Sequence, residues 1–138
     1  MTLPLHHVGF VVASIEAAMP GFVRSLEASW DGAIFADPLQ KVRVAFLVTR
    51  EREPQIELVE PHGDEAPVLH FLREKGGGLH HMCYEVDNLD EELPRLKSRG
   101  LHIAKRPHPA VAFGGRRIAW VLTPERLLIE LLETRRRE

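Results

Sequence analysis

Residues 5–12, LHHVGFVV, have the β-branched and aromatic character of a strand, and residues 79–86, LHHMCYEV, read the same way. A helix signal follows each run. Ser14 is placed to cap a helix running to about residue 28, with Ile15, Phe22, Val23 and Leu26 as its apolar positions. Asp87 or Asn88 caps a second helix, in which Leu89, Leu93 and Leu96 face inward and which ends near Ser98 with Gly100 as a stop. Pro20 and Pro94 fall inside these helices, where each removes a backbone donor, so a bend or a late start is expected. Three strands follow each helix: 30–36, 42–49 and 54–60, then 102–106, 116–122 and 127–133. The pattern is βαβββ twice, over 5–60 and 79–133. The linker 61–78 forms a short helix over Pro67–Lys75, and Gly76–Gly78 then release the chain.

The two halves are also in register. Leu5-His6-His7 returns 74 positions later as Leu79-His80-His81, Pro20 and Pro94 share that offset, and Ile56-Glu57-Leu58 recurs 73 positions later as Ile129-Glu130-Leu131. Landmarks in one order at one spacing identify two copies of a structural module.

Composition narrows what such a chain does. With 138 residues, 44% of them hydrophobic, it is expected to form one domain, 1–138, around a substantial core. A formal net charge of −2 argues against a general nucleic-acid binder. Cys83 is the only cysteine, which excludes an internal disulfide and a thiolate-rich metal site, so any metal must sit on His and carboxylates. No apolar run approaches the roughly 18 residues of a membrane span. Residues 1–5 have neither a basic start nor an apolar signal core, so a cytoplasmic location is expected. Gly76–Gly78 precede a strand, where a phosphate cradle requires a helix. Arg135–Arg137 are expected to be a solvated tail.

The candidate chemistry lies in the repeated residues. Successive strand side chains point to opposite faces, so only one imidazole of each His pair faces a given side. Glu57 and Glu130 stand among Ile, Leu and Val in strands expected to be largely buried. A buried ionised carboxylate must be paired, hydrogen-bonded or bound to a cation. Taken singly, each His is an ordinary strand residue and each Glu belongs on a solvated face; their joint repetition favours a metal. If the modules pair about a pseudo-twofold axis, two imidazoles and two carboxylates converge. Such a set suits borderline divalent ions (Co, Zn, Ni, Mn or Fe) and leaves positions open for substrate.

The segments LHHVGFVV, QIELVEP, APVLHFL, GGGLHHMCYEVDNL and LLIELLE resemble the vicinal oxygen chelate superfamily, which includes glyoxalase I, extradiol dioxygenases and bleomycin-resistance proteins. Within it the resemblance is to the methylmalonyl-CoA epimerases, over about residues 5–133. It implies an α+β fold of paired βαβββ modules in a cupped, mostly antiparallel eight-stranded sheet around a metal cleft. It further implies His7, Glu57, His81 and Glu130 as ligands, with His6 and His80 in packing roles. The activity implied is proton abstraction next to an acyl-thioester carbonyl with metal stabilisation of the enolate, and Glu130 is the first candidate for acid–base work.

Departures from that family are Val44, where some members have a second base, an altered loop before Gly114, and the short turn Thr123-Pro124-Glu125-Arg126 before the last strand. Lys105, Arg106, Arg116 and Arg117 are the cations available for coenzyme A phosphates. Cys83 shares the parity of His81 and is expected to be a buried structural thiol. A small-molecule substrate and a homodimer are expected. The alternatives are a glyoxalase-I-like lyase and a non-catalytic binding protein.

Overall fold

A computed structural model describes residues 3–50 and 53–134; the basic run 135–137 lies outside the described residues. Among the described residues, eight strands, three helices and a 3₁₀ turn give the α+β class that the repeat predicts, with the strands in an eight-stranded mixed sheet. Among the described residues no helix is long and apolar enough to cross a membrane. The chain divides into two compact units, His7–His80 and a second made of residues up to His6 with those from His81 onward.

In the unit His7–His80 the elements are β1 (Leu5–Val11, from His7), α1 (Ile15–Leu26), β2 (Phe35–Asp37), β3 (Val42–Leu47), β4 (Gln55–Pro61) and α2 (Pro67–Lys75). β2, β3 and β4 pair antiparallel, while β1 joins β4 in parallel. One face packs Ala45, Leu47 and Leu58 against Ile15 and Met19 of α1. Across the strands His7 stands opposite Gln55, Gly9 opposite Glu57 and Phe46 opposite Glu57, so His7, Glu57 and Phe46 share the other face. Gly77 has a steric requirement: a Cβ there would meet the Val11 carbonyl oxygen at 2.7 Å.

The second unit holds β5 (Gly78–Val86, from His81), α3 (Leu89–Ser98), β6 (His102–Pro109), the 3₁₀ turn Val111–Phe113, β7 (Arg117–Leu122) and β8 (Leu128–Glu133). β6, β7 and β8 pair antiparallel, and β5 joins β8 in parallel. Leu89, Leu93 and Leu96 of α3 pack on Val86, Ala119, Val121 and Leu131. Cys83, Ala110, Ile118 and Leu132 fill the opposite face.

Two expectations of strand bounds are corrected, and one about the prolines is narrowed. The strand expected at 30–36 is confined to Phe35–Asp37, because Asp31 Oδ1 accepts from the Ala33 amide at 2.9 Å and Trp30 Nε1 donates to the Ala33 carbonyl at 3.0 Å, closing a turn. β6 runs beyond 106 to Pro109, accommodating irregular register with β7. Of the bend or late start expected at each proline, the late start does not occur, since α1 begins at Ile15 and α3 at Leu89, capped by Ser14 and Asn88. The carbonyls that Pro20 and Pro94 leave open belong to Glu16 and Asp90, both exposed, so water can take those bonds.

The starts of α1 and α3 are each tied to their unit's sheet by a buried glutamate. Glu60 Oε1 accepts from the Ile15 amide at 3.0 Å, and Arg43 bridges Glu60 Oε2 at 2.7 Å to Glu16 at 2.8 Å. Glu133 Oε2 accepts from the Leu89 amide at 2.9 Å, and Arg117 bridges Glu133 at 2.8 and 3.1 Å to Asp90 at 3.1 Å. A negative carboxylate at a helix N-terminus satisfies a free amide and complements the helix dipole, and the arginine neutralises its charge. Glu133 and Asp90 hold the Arg117 guanidinium above its ordinary pKa range; hydrogen bonds to Glu16 and Glu60 raise that of Arg43.

Candidate metal centre

In the unit His7–His80, β1 and β4 bring His7 Nε2 to 3.5 Å from Glu57 Oε1, and both side chains are buried. The Phe46 ring meets His7 edge-on at 5.6 Å between centroids. In the second unit, β5 and β8 bring His81 Nε2 to 3.6 Å from Glu130 Oε1, again buried, and Trp120 meets His81 edge-on at 4.8 Å. Both spacings exceed an ordinary N–H···O bond of about 2.9 Å. Two atoms each about 2.1 Å from one ion, at octahedral to tetrahedral angles, would lie roughly 3.0–3.4 Å apart, so each pair has about the spread of two ligands of a common cation. The donor set also fits. A buried carboxylate needs positive charge, and a neutral imidazole offers a lone pair to a metal.

The other histidine of each pair goes elsewhere. His6 lies edge-on to Phe113 at 5.5 Å, with Nε2 3.8 Å from Glu85 Oε1. His80 lies edge-on to Phe71 at 5.0 Å.

The four basic candidates are not equivalent. Arg117 is committed to Glu133 and Asp90. Arg116 donates through Nε to the Glu133 carbonyl at 2.7 Å, with Nη2 3.9 Å from Glu85. Lys105 is exposed and stands opposite Trp120, on the face of Glu130, while Arg106 is exposed. Val44 is buried opposite Phe35 and Val59, so β3 contributes an apolar side chain at that point.

Sequence reasoning missed Phe46 and Trp120, and likewise both buried glutamate–arginine clamps. A signal existed in each case. Phe46 and Trp120, like Arg43 and Arg117, are 74 positions apart, and Glu60 and Glu133 are 73 apart, the spacings of the recognised repeat.

Comparison with known proteins agrees with this architecture. Residues 6–120 match the family model described as the Glyoxalase/Bleomycin resistance protein/Dioxygenase superfamily. An ethylmalonyl-CoA/methylmalonyl-CoA epimerase of Cereibacter sphaeroides is 31% identical over 118 residues, covering 85% of this chain and 86% of that one. Among solved structures, a hypothetical protein from Bacillus halodurans aligns with a TM-score of 0.84 at 30% identity, covering 100% of this chain and 99% of that one. The methylmalonyl-CoA epimerase of Mycobacterium tuberculosis aligns with a TM-score of 0.82 at 27% identity, covering 94% and 87%. With a matching family model over most of its length and the α+β fold of such relatives, the chain belongs to the glyoxalase/bleomycin resistance protein/dioxygenase superfamily.

Proposed function

We propose that the protein is a metal-dependent epimerase of the methylmalonyl-CoA epimerase type, acting on the carbon between an acyl-thioester carbonyl and its substituent. The observation that carries this reading is the duplication of a buried His–Glu pair backed by an aromatic ring: His7, Glu57 and Phe46 in one unit, His81, Glu130 and Trp120 in the other. His7, Glu57, His81 and Glu130 form a group that could hold a metal ion, and in this reading all four serve one divalent cation. Epimerases among the relatives support the same reaction class.

A divalent ion held there supplies positive charge to the oxygen on which charge accumulates as the α-proton leaves. The chain's own residues do the rest. Phe46 and Trp120 fix the imidazole planes and exclude water from one side of each pair. Glu130 moves the α-proton through its carboxylate. Lys105, with Arg106 and Arg116, supplies the positive charge that anionic phosphates of coenzyme A require, while Arg117 holds Glu133.

Elemental analysis of protein purified without chelators tests the metal, with about one ion per chain expected. His81→Ala and Glu57→Gln should lose most of it. Solvent deuterium should enter the α-carbon of a methylmalonyl thioester in the loaded protein. A loaded chain that leaves the α-proton unexchanged but isomerises a hemithioacetal would instead be a lyase, and a chain with no stoichiometric metal would be a binding protein.

A further inference from the structure

Cross-strand register in the second unit lays out two rows of side chains on the face that carries Glu130. Lys105, Trp120, Glu130 and Cys83 form one row across β6, β7, β8 and β5. His108, Ile118 and Leu132 form the next. Residues opposite one another share a face, so His108 looks out on Glu130's side of the sheet. It stands two strands and two residues away, about 12 Å between Cα atoms from strand spacing and rise.

The neutral ring is also held in one tautomer. His108 Nδ1 lies 2.9 Å from the Arg106 carbonyl oxygen, which can only accept, so in the neutral ring Nδ1 carries the hydrogen and Nε2 the lone pair. Nε2 is buried and has no hydrogen-bond partner among the described residues. Such an atom is poised to take a proton or to be satisfied by a bound molecule.

The other half of the repeat makes the position stand out. Phe35 pairs with Val44 as His108 pairs with Ile118, and Val44 and Ile118 are 74 positions apart. The shared frame therefore has a phenyl ring in one copy and an imidazole in the other. Inversion at a stereocentre needs proton transfer on both faces of a planar intermediate, and the first copy offers only Phe35 and Val44 at these positions.

We propose that His108 is the second acid–base group of the epimerisation, serving the face of the α-carbon opposite Glu130; this rests on the epimerase reading above. In one direction the Glu130 carboxylate takes the α-proton and the C–H electron pair passes into the enolate. A protonated His108 then places its Nε2 proton on the other face, forming a C–H bond of inverted configuration and leaving Glu130 protonated and His108 neutral. In reverse, neutral Nε2 takes the α-proton and protonated Glu130 returns one. Exchange with water resets both groups.

The test uses the metal-loaded full chain with each epimer of a methylmalonyl thioester in deuterated water, followed by NMR. His108→Asn keeps a side-chain donor for the Arg106 carbonyl, and His108→Phe installs the residue of the first copy. With metal content unchanged, both variants should still exchange the α-proton of one epimer at close to the parent rate, while interconversion falls 100-fold or more. Added imidazole should raise interconversion in His108→Asn. Interconversion at the parent rate in both variants, or an equal loss of exchange from both epimers, overturns the role of His108 alone. A parent chain that neither exchanges nor interconverts overturns the epimerase reading and this role together.

Discussion

Glu60 and Glu133 do the same job in the two βαβββ modules, each accepting from the first amide of a helix and each neutralised by an arginine that reaches on to an acid in that helix's first turn. The faces that carry the His–Glu pairs repeat less faithfully. Both modules keep His, Glu and an aromatic ring, but the first sets Gly9, Phe35 and Val44 around them where the second has Cys83, His108 and Ile118. The side chains that hold helix to strand are thus nearly interchangeable between copies. Those facing the site have diverged toward an apolar wall in one copy and a protic surface in the other. Under the proposed function, ligation would be symmetrical between the copies while proton transfer would not.

The largest expected effect separates those two roles. Glu57→Gln and Glu130→Gln should weaken metal binding alike, because each replaces a carboxylate by a poorer neutral donor at equivalent positions. At saturating metal their activities should part. Glu57→Gln should recover to within about tenfold of the parent rate, while Glu130→Gln stays about 100- to 10,000-fold down for want of a proton-transfer group. Metal titration alongside solvent-exchange rates measures both, and equal losses of rate at saturation would break the asymmetry.

This division also explains what the sequence made legible. The βαβββ pattern, both N-caps, the linker helix and the His–Glu pairs could be read because strand and helix periodicities are local and the repeat supplied an independent check. The short β2 could not, since Asp31 and Trp30 form a turn in a stretch whose composition suits a strand. The clamps escaped for a different reason. Nothing local marks Glu60, Glu133 or Arg43, and Arg117 reads as a cation available for coenzyme A phosphates, until the fold brings each pair together. His108 fell outside the expected strand because that strand was ended at 106, and only its pairing with Ile118 assigns it a face.

A smaller effect tests whether the clamps are as equivalent as they look. Arg117→Met strands Glu133, which is 2% exposed, whereas Arg43→Met strands Glu60 at 8%. Removing one partner of a buried ion pair costs about 3–5 kcal/mol. The Arg117 variant should fall in that range, and the Arg43 variant at about half of it, because water can partly replace the lost charge. Urea denaturation of both variants gives the two values directly. Equal losses would mean that solvent reaches both glutamates equally.

The smallest effect belongs to the exposed end of the first clamp and is seen best as a dependence on pH. A hydrogen bond from Arg43 holds the Glu16 carboxyl below its ordinary pKa of 4.5. A carboxyl whose folded-state pKa is depressed contributes stability above the unfolded value, and loses that contribution as pH falls through the folded one. Glu16→Gln should therefore lower the Tm slightly at pH 7 and by a shrinking amount below about pH 4.5. Once the parent's Glu16 is protonated, the two proteins should melt together. High salt at pH 7 should also narrow the gap, because the pair is exposed and screened. A gap that persists undiminished at pH 3 would show that the effect of Glu16 does not come from its charge.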